Sequence, residues 1–266
     1  MKLAIRNLDI AFGGRQTVQI DEFDCDGGEI VGLVGESGSG KSMTATAVLG
    51  LAQRLGATVH GSIKLDGEEL IGASERTLRS IRGRRIAMIF QSPGSAFNPV
   101  MRVGDVFNHT LRLHGVRSRA AATKRAERAL EEVLLPVIAL NRYPHQLSGG
   151  QLQRVAIALA LALDAEVLLA DEPTSALDVT VQAEILTLLT RLRARGFAVM
   201  LITHDLGVVS EVADRVAVMQ SGKLVEFGPT RAVLLHPQHA YTQTLLRAVP
   251  RMRSGINEGV HDAARH

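Results

Sequence analysis

The chain has 266 residues, 46% of them hydrophobic and 21% charged, with a formal net charge of +3. That length and apolar share suit one large or two small packed domains and exclude a disordered chain. A single cysteine, Cys25, excludes an intrachain disulfide framework or a multi-cysteine metal site, and the scattered basic residues argue against nucleic acid as a partner.

Residues Lys2 to Phe12 alternate as a half-buried strand does, and Gln16 to Phe23 do so again; the opening "MKLAIRNLDIAF" lacks the apolar core of a signal peptide. Cys25, between two aspartates, reads as a small, partly buried and unreactive residue. Glu29 to Gly35, "EIVGLVG", reads as a buried strand ending in glycine, and Lys41 to Leu51 as a packed helix. His60 to Leu70 contains the hairpin signal Asp66-Gly67. Arg79 to Arg85 reads as a solvated basic rim, and Arg85 to Gln91 as another buried strand.

From Ser92 to Leu163 the chain turns Arg- and Ala-rich with helical spacing, including Arg119 to Leu135 and Leu152 to Leu163, which predicts a mostly helical insertion. Its longest apolar run, Val155 to Leu163, is too short to span a bilayer. Strand signals return at Val167 to Ala170, Ala198 to Thr203 and Arg215 to Val218, with a hairpin at Ser221-Gly222 and an amphipathic helix over Val181 to Arg195. Strands alternating with helices predict an α/β fold with a mainly parallel sheet. The polar tail after Pro250 is expected to fray.

"GESGSGKS", Gly35 to Ser42, sits between a strand and a helix, as a phosphate-binding P-loop requires. Gly35, Gly38 and Gly40 let the backbone curl so that successive N–H groups face a phosphate chain. Lys41 supplies a point charge for the β- and γ-phosphates, and Ser42 a hydroxyl for Mg²⁺. "VLLADEP", Val167 to Pro173, delivers two carboxylates at a strand end: Asp171 suits the Mg²⁺ shell and Glu172 the attacking water. His204 in "LITHD" and Gln91 in "IAMIFQ" also end buried strands, where ligands collect in open α/β sheets. His204 suits a γ-phosphate contact or a link to Glu172; Gln91 suits Mg²⁺ or the attacking water.

A second anion-binding motif, "HQLSGGQ", lies more than a hundred residues downstream of the first. Ser148, Gly149 and Gly150 offer a hydroxyl and N–H groups at a helix start. If this motif cannot fold back onto its own P-loop, it serves the ATP of another subunit, which predicts a head-to-tail pair.

With these motifs the chain resembles an ABC-transporter ATPase subunit over nearly its whole length. Walker A is Gly35, Glu36, Ser37, Gly38, Ser39, Gly40, Lys41 and Ser42; the Q-loop glutamine is Gln91; the signature is Leu147, Ser148, Gly149, Gly150 and Gln151. Walker B is Val167 to Asp171, Glu172 falls at the catalytic glutamate, Ser175, Ala176, Leu177 and Asp178 at the D-loop, and His204 at the switch histidine. The resemblance places Phe12 where adenine stacks, and Ser42, Gln91 and Asp171 around Mg²⁺. It implies a P-loop NTPase core over 1–91 and 164–230 with an antiparallel β subdomain, a helical signature subdomain over 92–163, and a C-terminal extension over 231–266.

The same resemblance implies the partners: a second ATPase subunit, with a heterodimer preferred and a homodimer open, two membrane permeases, and indirectly a solute-binding protein. It places the chain on the cytoplasmic face of the inner membrane as a peripheral subunit, with residues Ser92 to Val116 receiving the permeases. "QSPGSAFNPVMRVGD" and "HPQHAYTQTLLRAVP" resemble the oligopeptide, dipeptide and nickel importers. Ser95 to Pro99 and the short tail lean towards nickel, with peptides as the alternative, and the missing C-terminal cysteines imply no iron–sulfur cluster. His236 and His239 are read as part of the family's C-terminal pattern rather than as a metal pair, since Pro237 interrupts their pairing. Three other classes fit less well. A non-transport ABC ATPase lacks its second cassette or coiled coil here, a small-molecule kinase gives no reason for "LSGGQ", and a regulatory subunit has no need of an intact Glu172 and His204.

Overall fold

The computed structural model describes residues 2–248 apart from Ala176. The chain opens with β1 (Lys2–Phe12) and β2 (Arg15–Asp26), joined across Gly13-Gly14, then runs through β3 (Ile30–Val34) into α1 (Lys41–Val48). β4 (Ala57–Leu65) and β5 (Glu68–Glu69) form the hairpin expected at Asp66-Gly67; both turn residues have positive φ. After α2 (Glu75–Ile81) and β6 (Ile86–Ile89) come α3 (Pro93–Ala96), α4 (Val103–Leu113), α5 (Arg119–Glu132) and α6 (Gly149–Ala162). Then follow β7 (Val167–Asp171), α7 (Val179–Ala194), β8 (Ala198–Thr203), α8 (Leu206–Val212), β9 (Arg215–Gln220), β10 (Lys223–Pro229), α9 (Thr230–Leu235) and α10 (Ala240–Arg247).

Among the described residues the strands form one sheet in the order β5-β4-β1-β2-β10-β9-β3-β8-β7-β6. β9, β3, β8, β7 and β6 pair in parallel, and β3, β7 and β8 are buried along their whole lengths. Helices cover one face there, and α1 with the antiparallel strands covers the other, which is why these strands read as unbroken apolar runs. β1, β2, β4 and β5 pair antiparallel, and β2 alternates buried and exposed residues, as a one-sided strand does. The antiparallel β subdomain expected from the sequence is present, and its strands continue the parallel sheet through β10.

The seam is narrow. β10 is antiparallel to β9 but meets β2 in parallel only at Lys223 and Gln19. The turn Ser221-Gly222 reinforces it: Gln19 N–H donates to the Gly222 carbonyl at 2.6 Å, and Gly222 N–H donates to the Ser39 carbonyl at 3.1 Å. One glycine thus ties the antiparallel strands to the loop that follows β3. Its φ is +87°, and a Cβ there would lie 2.5 Å from the Thr17 carbonyl oxygen, so no other residue fits.

Two large apolar clusters lie on opposite faces of the parallel strands. One gathers α4 to α7 around Phe107, Leu111, Leu130, Val155 and Leu189; the other lies under β1, β2 and β4 with α1, around Ile5, Ile20, Phe23 and Ile63. A smaller third cluster joins the end of β3 to α8, α9 and α10 through Val34, Leu206, Val209, Val233 and Tyr241.

Several local expectations change. Helix α2, capped by Ser74, was not foreseen, and the basic run is no free rim. Arg54, Arg79 and Arg82 all reach Glu75 Oε1, Arg82 also donates to the Leu49 and Gly50 carbonyls, and Arg85 pairs with Asp66 and Glu68. Arg54 and Arg82 fasten α2 to the end of α1 and the turn after it, and Arg85 ties the start of β6 to the β4–β5 hairpin. Cys25 is fully buried, and burial pushes its thiol well above the ordinary range, which leaves it inert. The frayed tail expected after Pro250 lies outside the described residues.

Gly222→Ala should lower the unfolding free energy by about 1–3 kcal/mol through combined backbone strain and steric conflict. Urea denaturation followed by circular dichroism checks this, and an unchanged midpoint and slope would remove Gly222 as the seam.

Candidate functional site

β3 ends at Val34, and the chain turns sharply into α1. Gly35 has φ +153°, and a Cβ there would lie 2.1 Å from the Met219 carbonyl of β9. Gly40, at φ +101°, is pressed against Val18 and Thr17 of β2. The two glycines let the loop pass between two strands and still curl. Gly38, at φ +80°, faces open space, so the mouth of the curl is clear of protein atoms.

Inside the curl lies Lys41, only 5% exposed. Its Nζ donates to the carbonyls of Gly35 and Glu36, both at 2.8 Å, and to Ser39 Oγ at 3.3 Å. Burial lowers its pKa, while the negative fields of Glu172, Asp171 and Glu36 oppose the shift. No carboxylate among the described residues forms an ion pair with it. Helix α1 starts at this lysine without a side-chain cap and without an acidic residue in its first turn. A buried cation beside uncapped helix N–H groups is a ready receptor for phosphate oxygens.

Ser42 Oγ, on the first turn of α1, donates to Asp171 Oδ1 at 3.0 Å, across from the end of β7. Asp171 is 8% exposed, and burial raises its pKa, aided by Glu172 and opposed by the Ser42 hydrogen bond and Lys41. A hydroxyl and a carboxylate within one hydrogen bond match the hard oxygen donors that Mg²⁺ takes from protein, beside a phosphate chain. The residues therefore fit the metal that nucleotide chemistry requires.

Glu172 follows at φ +45°, a left-handed conformation rare for glutamate and frequent at functional sites. Its N–H donates to the Ile202 carbonyl of β8 at 2.8 Å, which holds the twist. The carboxylate is gripped from both sides: Gln91 Nε2 donates to Oε2 at 2.7 Å, and His204 Nδ1 lies 3.1 Å from Oε1. Lys41, Ser42, Asp171, Glu172, Gln91 and His204 thus gather at one edge of the sheet, where β3, β6, β7 and β8 end. His204 makes the link to Glu172, and Gln91 contacts the same carboxylate.

The signature motif lies elsewhere. Ser148 caps α6 through a reciprocal pair, its Oγ accepting from Gln151 N–H at 3.3 Å and its own N–H donating to Gln151 Oε1 at 3.1 Å. Gly150 lets α6 approach the next segment, since a Cβ there would meet Val181 Cγ1 at 2.3 Å, whereas one on Gly149 would make ordinary contact with Leu177 at 3.5 Å. Leu147 is half-buried against the helical cluster. Among the described residues, no hydrogen bond or ion pair joins Leu147–Gln151 to Gly35–Ser42.

In the segment between these regions, Ser175 Oγ donates to the Glu172 carbonyl at 3.2 Å, and Asp178 caps α7 by accepting from Val181 N–H at 3.0 Å. Ala176 lies outside the described residues. Phe12 ends β1, half-buried and paired with Arg15, and Thr17-Val18 two residues further press on Gly40. That arrangement brings the β1–β2 hairpin alongside the loop. His239 caps α10 by accepting from Tyr241 N–H at 3.2 Å, which occupies one of its ring nitrogens.

Two features escaped the sequence reading. Asp205, next to His204, caps α8 by accepting from Gly207 and Val208 N–H; "HDLG" carried that signal. Tyr241 Oη accepts the Glu36 N–H at 3.1 Å, a contact between residues so far apart in sequence that no local pattern announces it.

Comparison with known proteins agrees with this geometry. Residues 18–175 match a family described as ABC transporter, and residues 225–265 match the C-terminal region of oligopeptide/dipeptide transporters. A probable peptide ABC transporter ATP-binding protein, y4tR of Sinorhizobium fredii, is 46% identical over 95% of this chain and 78% of its own length. The peptidoglycan transport ATP-binding protein YejF of Agrobacterium fabrum is 48% identical over 94% of this chain, which spans only 47% of that relative. Among solved structures, the ATP-binding cassette MJ0796, described as a dimer in a post-hydrolysis state with ADP and Pi, superposes with a TM-score of 0.74 at 30% identity, covering 86% of this chain and 99% of that one. With a phosphate loop, a Mg²⁺-type donor pair and a clamped glutamate at one sheet edge, this chain belongs to the ATP-binding subunits of ABC transporters, which hydrolyse ATP.

Proposed function

We propose that this chain is the ATP-hydrolysing motor of a di- or oligopeptide importer, acting as one of two ATPase subunits beneath a pair of membrane permeases. The match of residues 225–265 to the oligopeptide/dipeptide C-terminal region carries the cargo assignment, and the peptide relative adds to it. Peptides therefore replace nickel as the preferred cargo. A solute-binding protein would select the peptide outside the membrane.

In the proposed reaction Lys41 and the N–H groups of Gly38 to Ser42 bind the phosphates of ATP. Ser42 and Asp171 hold Mg²⁺, which when bound neutralises charge on the β- and γ-oxygens. Phe12 supports the adenine. Glu172 takes a proton from water as its oxygen attacks the γ-phosphorus, and the β–γ bridging oxygen leaves with the electron pair. In the structure each oxygen of Glu172 has one partner, Gln91 or His204, which leaves a second lone pair on each to accept a water proton. His204, whose side chain is 61% exposed, is the freer to turn towards a γ-phosphate.

The separation of Ser148 from Lys41 supports a head-to-tail pair in which the signature of one subunit closes over the ATP of the other, with Ser175 to Asp178 between the two sites. Gln91 lies in a segment flanked by exposed Phe90 and Val100, 45% and 78% accessible, and these suit a contact with permeases. Docking there would pull on Gln91 and so on Glu172. No helix among the described residues is long and apolar enough to cross a membrane, in keeping with a peripheral subunit on the cytoplasmic face.

Glu172→Gln should lower ATP hydrolysis by about 10²–10³-fold while ATP binding persists; phosphate release and equilibrium binding measured together check this. A mutant hydrolysing at the wild-type rate would remove Glu172 as the base. For cargo, the tagged chain extracted in mild detergent should bring down two permeases, a second ATPase and a solute-binding protein that binds short peptides in calorimetry. A binding protein that takes nickel chelates and ignores peptides would reverse the assignment.

A further inference from the structure

The Gly35–Glu36 peptide is a single rigid plane held from two directions. Its carbonyl accepts from Lys41 Nζ at 2.8 Å, and its N–H donates to Tyr241 Oη at 3.1 Å. In a trans peptide these two groups point opposite ways, so the lysine and the tyrosine grip the plane from either side. The following carbonyl, of Glu36, also accepts from Lys41 at 2.8 Å. The tyrosine therefore acts on the plane that seats the buried ammonium.

Helix α10 is firm enough to serve as a support. The Tyr241 ring is 8% exposed and packs in one cluster with Val34, Leu206, Val209 and Val233, and Thr242 beside it is fully buried. The Glu226 carboxylate of β10 accepts from Gln238 and His239 N–H at 2.8 and 3.1 Å, which fastens the turn between α9 and α10. Burial raises the Tyr241 pKa, with the Glu36 amide hydrogen bond opposing and the Glu36 charge adding, so the hydroxyl stays a neutral acceptor at physiological pH.

We propose that Tyr241 is a positioning residue for nucleotide binding: its hydroxyl pins the Gly35–Glu36 peptide and orders the Lys41 cradle before ATP arrives. This rests on the reading of Lys41 as the phosphate-binding cation. Without the hydroxyl the peptide can rotate, and the cost of ordering it falls on the binding step. The segment that resembles the oligopeptide/dipeptide C-terminal region thereby reaches the nucleotide loop itself.

Tyr241→Phe keeps the ring and deletes only the hydroxyl, whereas Val233→Ala loosens the same cluster without touching Glu36. Binding of the fluorescent analogue TNP-ATP to the full chain, thermal melting, and the Glu36 amide resonance in ¹⁵N spectra separate the two roles. Tyr241→Phe should weaken TNP-ATP binding about three- to tenfold, the worth of one hydrogen bond. It should also move the Glu36 amide proton upfield and speed its exchange. Val233→Ala should lower the melting temperature and leave affinity near wild type. Equal affinity in Tyr241→Phe and wild type, or an equal loss in Val233→Ala, would overturn the proposal. Lys41→Ala serves as the reference: if it binds TNP-ATP as tightly as wild type, the reading of Lys41 fails and this proposal falls with it.

Discussion

The structure turns on one buried cation. Lys41 sits 5% exposed inside its loop, its ammonium donating to two backbone carbonyls and a serine hydroxyl. It has no ion pair among the described residues, and only the fields of nearby Glu172, Asp171 and Glu36 favour its charge. A buried ammonium without an ionic partner costs free energy, and the fold gains little from it. Its surroundings are nonetheless built to keep it there. Gly35 fits under Met219 and Gly40 fits against β2 because neither carries a Cβ, and Gly222 ties Ser39 to the seam of the sheet. Such local cost, held by rigid neighbours, is what a site prepared for an anion requires.

The other groups follow from where strands end. β3, β7 and β8 run in parallel register, so Val34, Asp171 and Thr203 finish at the same edge. The residues that come next, Gly35, Glu172 and His204, therefore meet there, although they are far apart in the chain. The Glu172 carboxylate lies in the grip of Gln91 and His204, whereas Asp171, one residue earlier on β7, faces Ser42. One acid is thereby left for a metal and the other for water. That division follows from the position of each acid at the strand end, since neighbouring residues there point to opposite faces.

Much of this was legible in the sequence where one local rule dominated. β1 was readable at both ends because its alternation holds on either side of a shift at Asn7, and β7 and β8 because burial on two faces leaves an unbroken apolar run. The glycine loop with Lys41 and Ser42, and the acid pair after β7, carried their chemistry on their face. The misreadings have a common source in tertiary context. The Arg79–Arg85 run looked solvated because Glu75 and the carbonyls at the end of α1 become its partners only after folding. The single residue pair that joins the antiparallel strands to β10, Lys223 with Gln19, is a long-range pairing that no local pattern announces. Helices α8 to α10 are short and owe their stability to packing, so periodicity alone did not announce them. The nickel preference rested on Ser95 to Pro99 and the short tail, whereas the match over 225–265 bears on the whole C-terminal segment.

The account makes Lys41 a residue kept for its ligand at the expense of the fold. The most direct measurement is therefore a paired titration and melt of wild type and Lys41→Met, which keeps the side chain's length and removes its charge. Lys41→Met should melt at or above the wild-type temperature without nucleotide, while its affinity for MgATP falls at least about 100-fold, the scale of several lost charge-assisted contacts. A Lys41→Met protein that melts well below wild type yet still binds MgATP would show that the lysine holds the fold together, and would contradict the account.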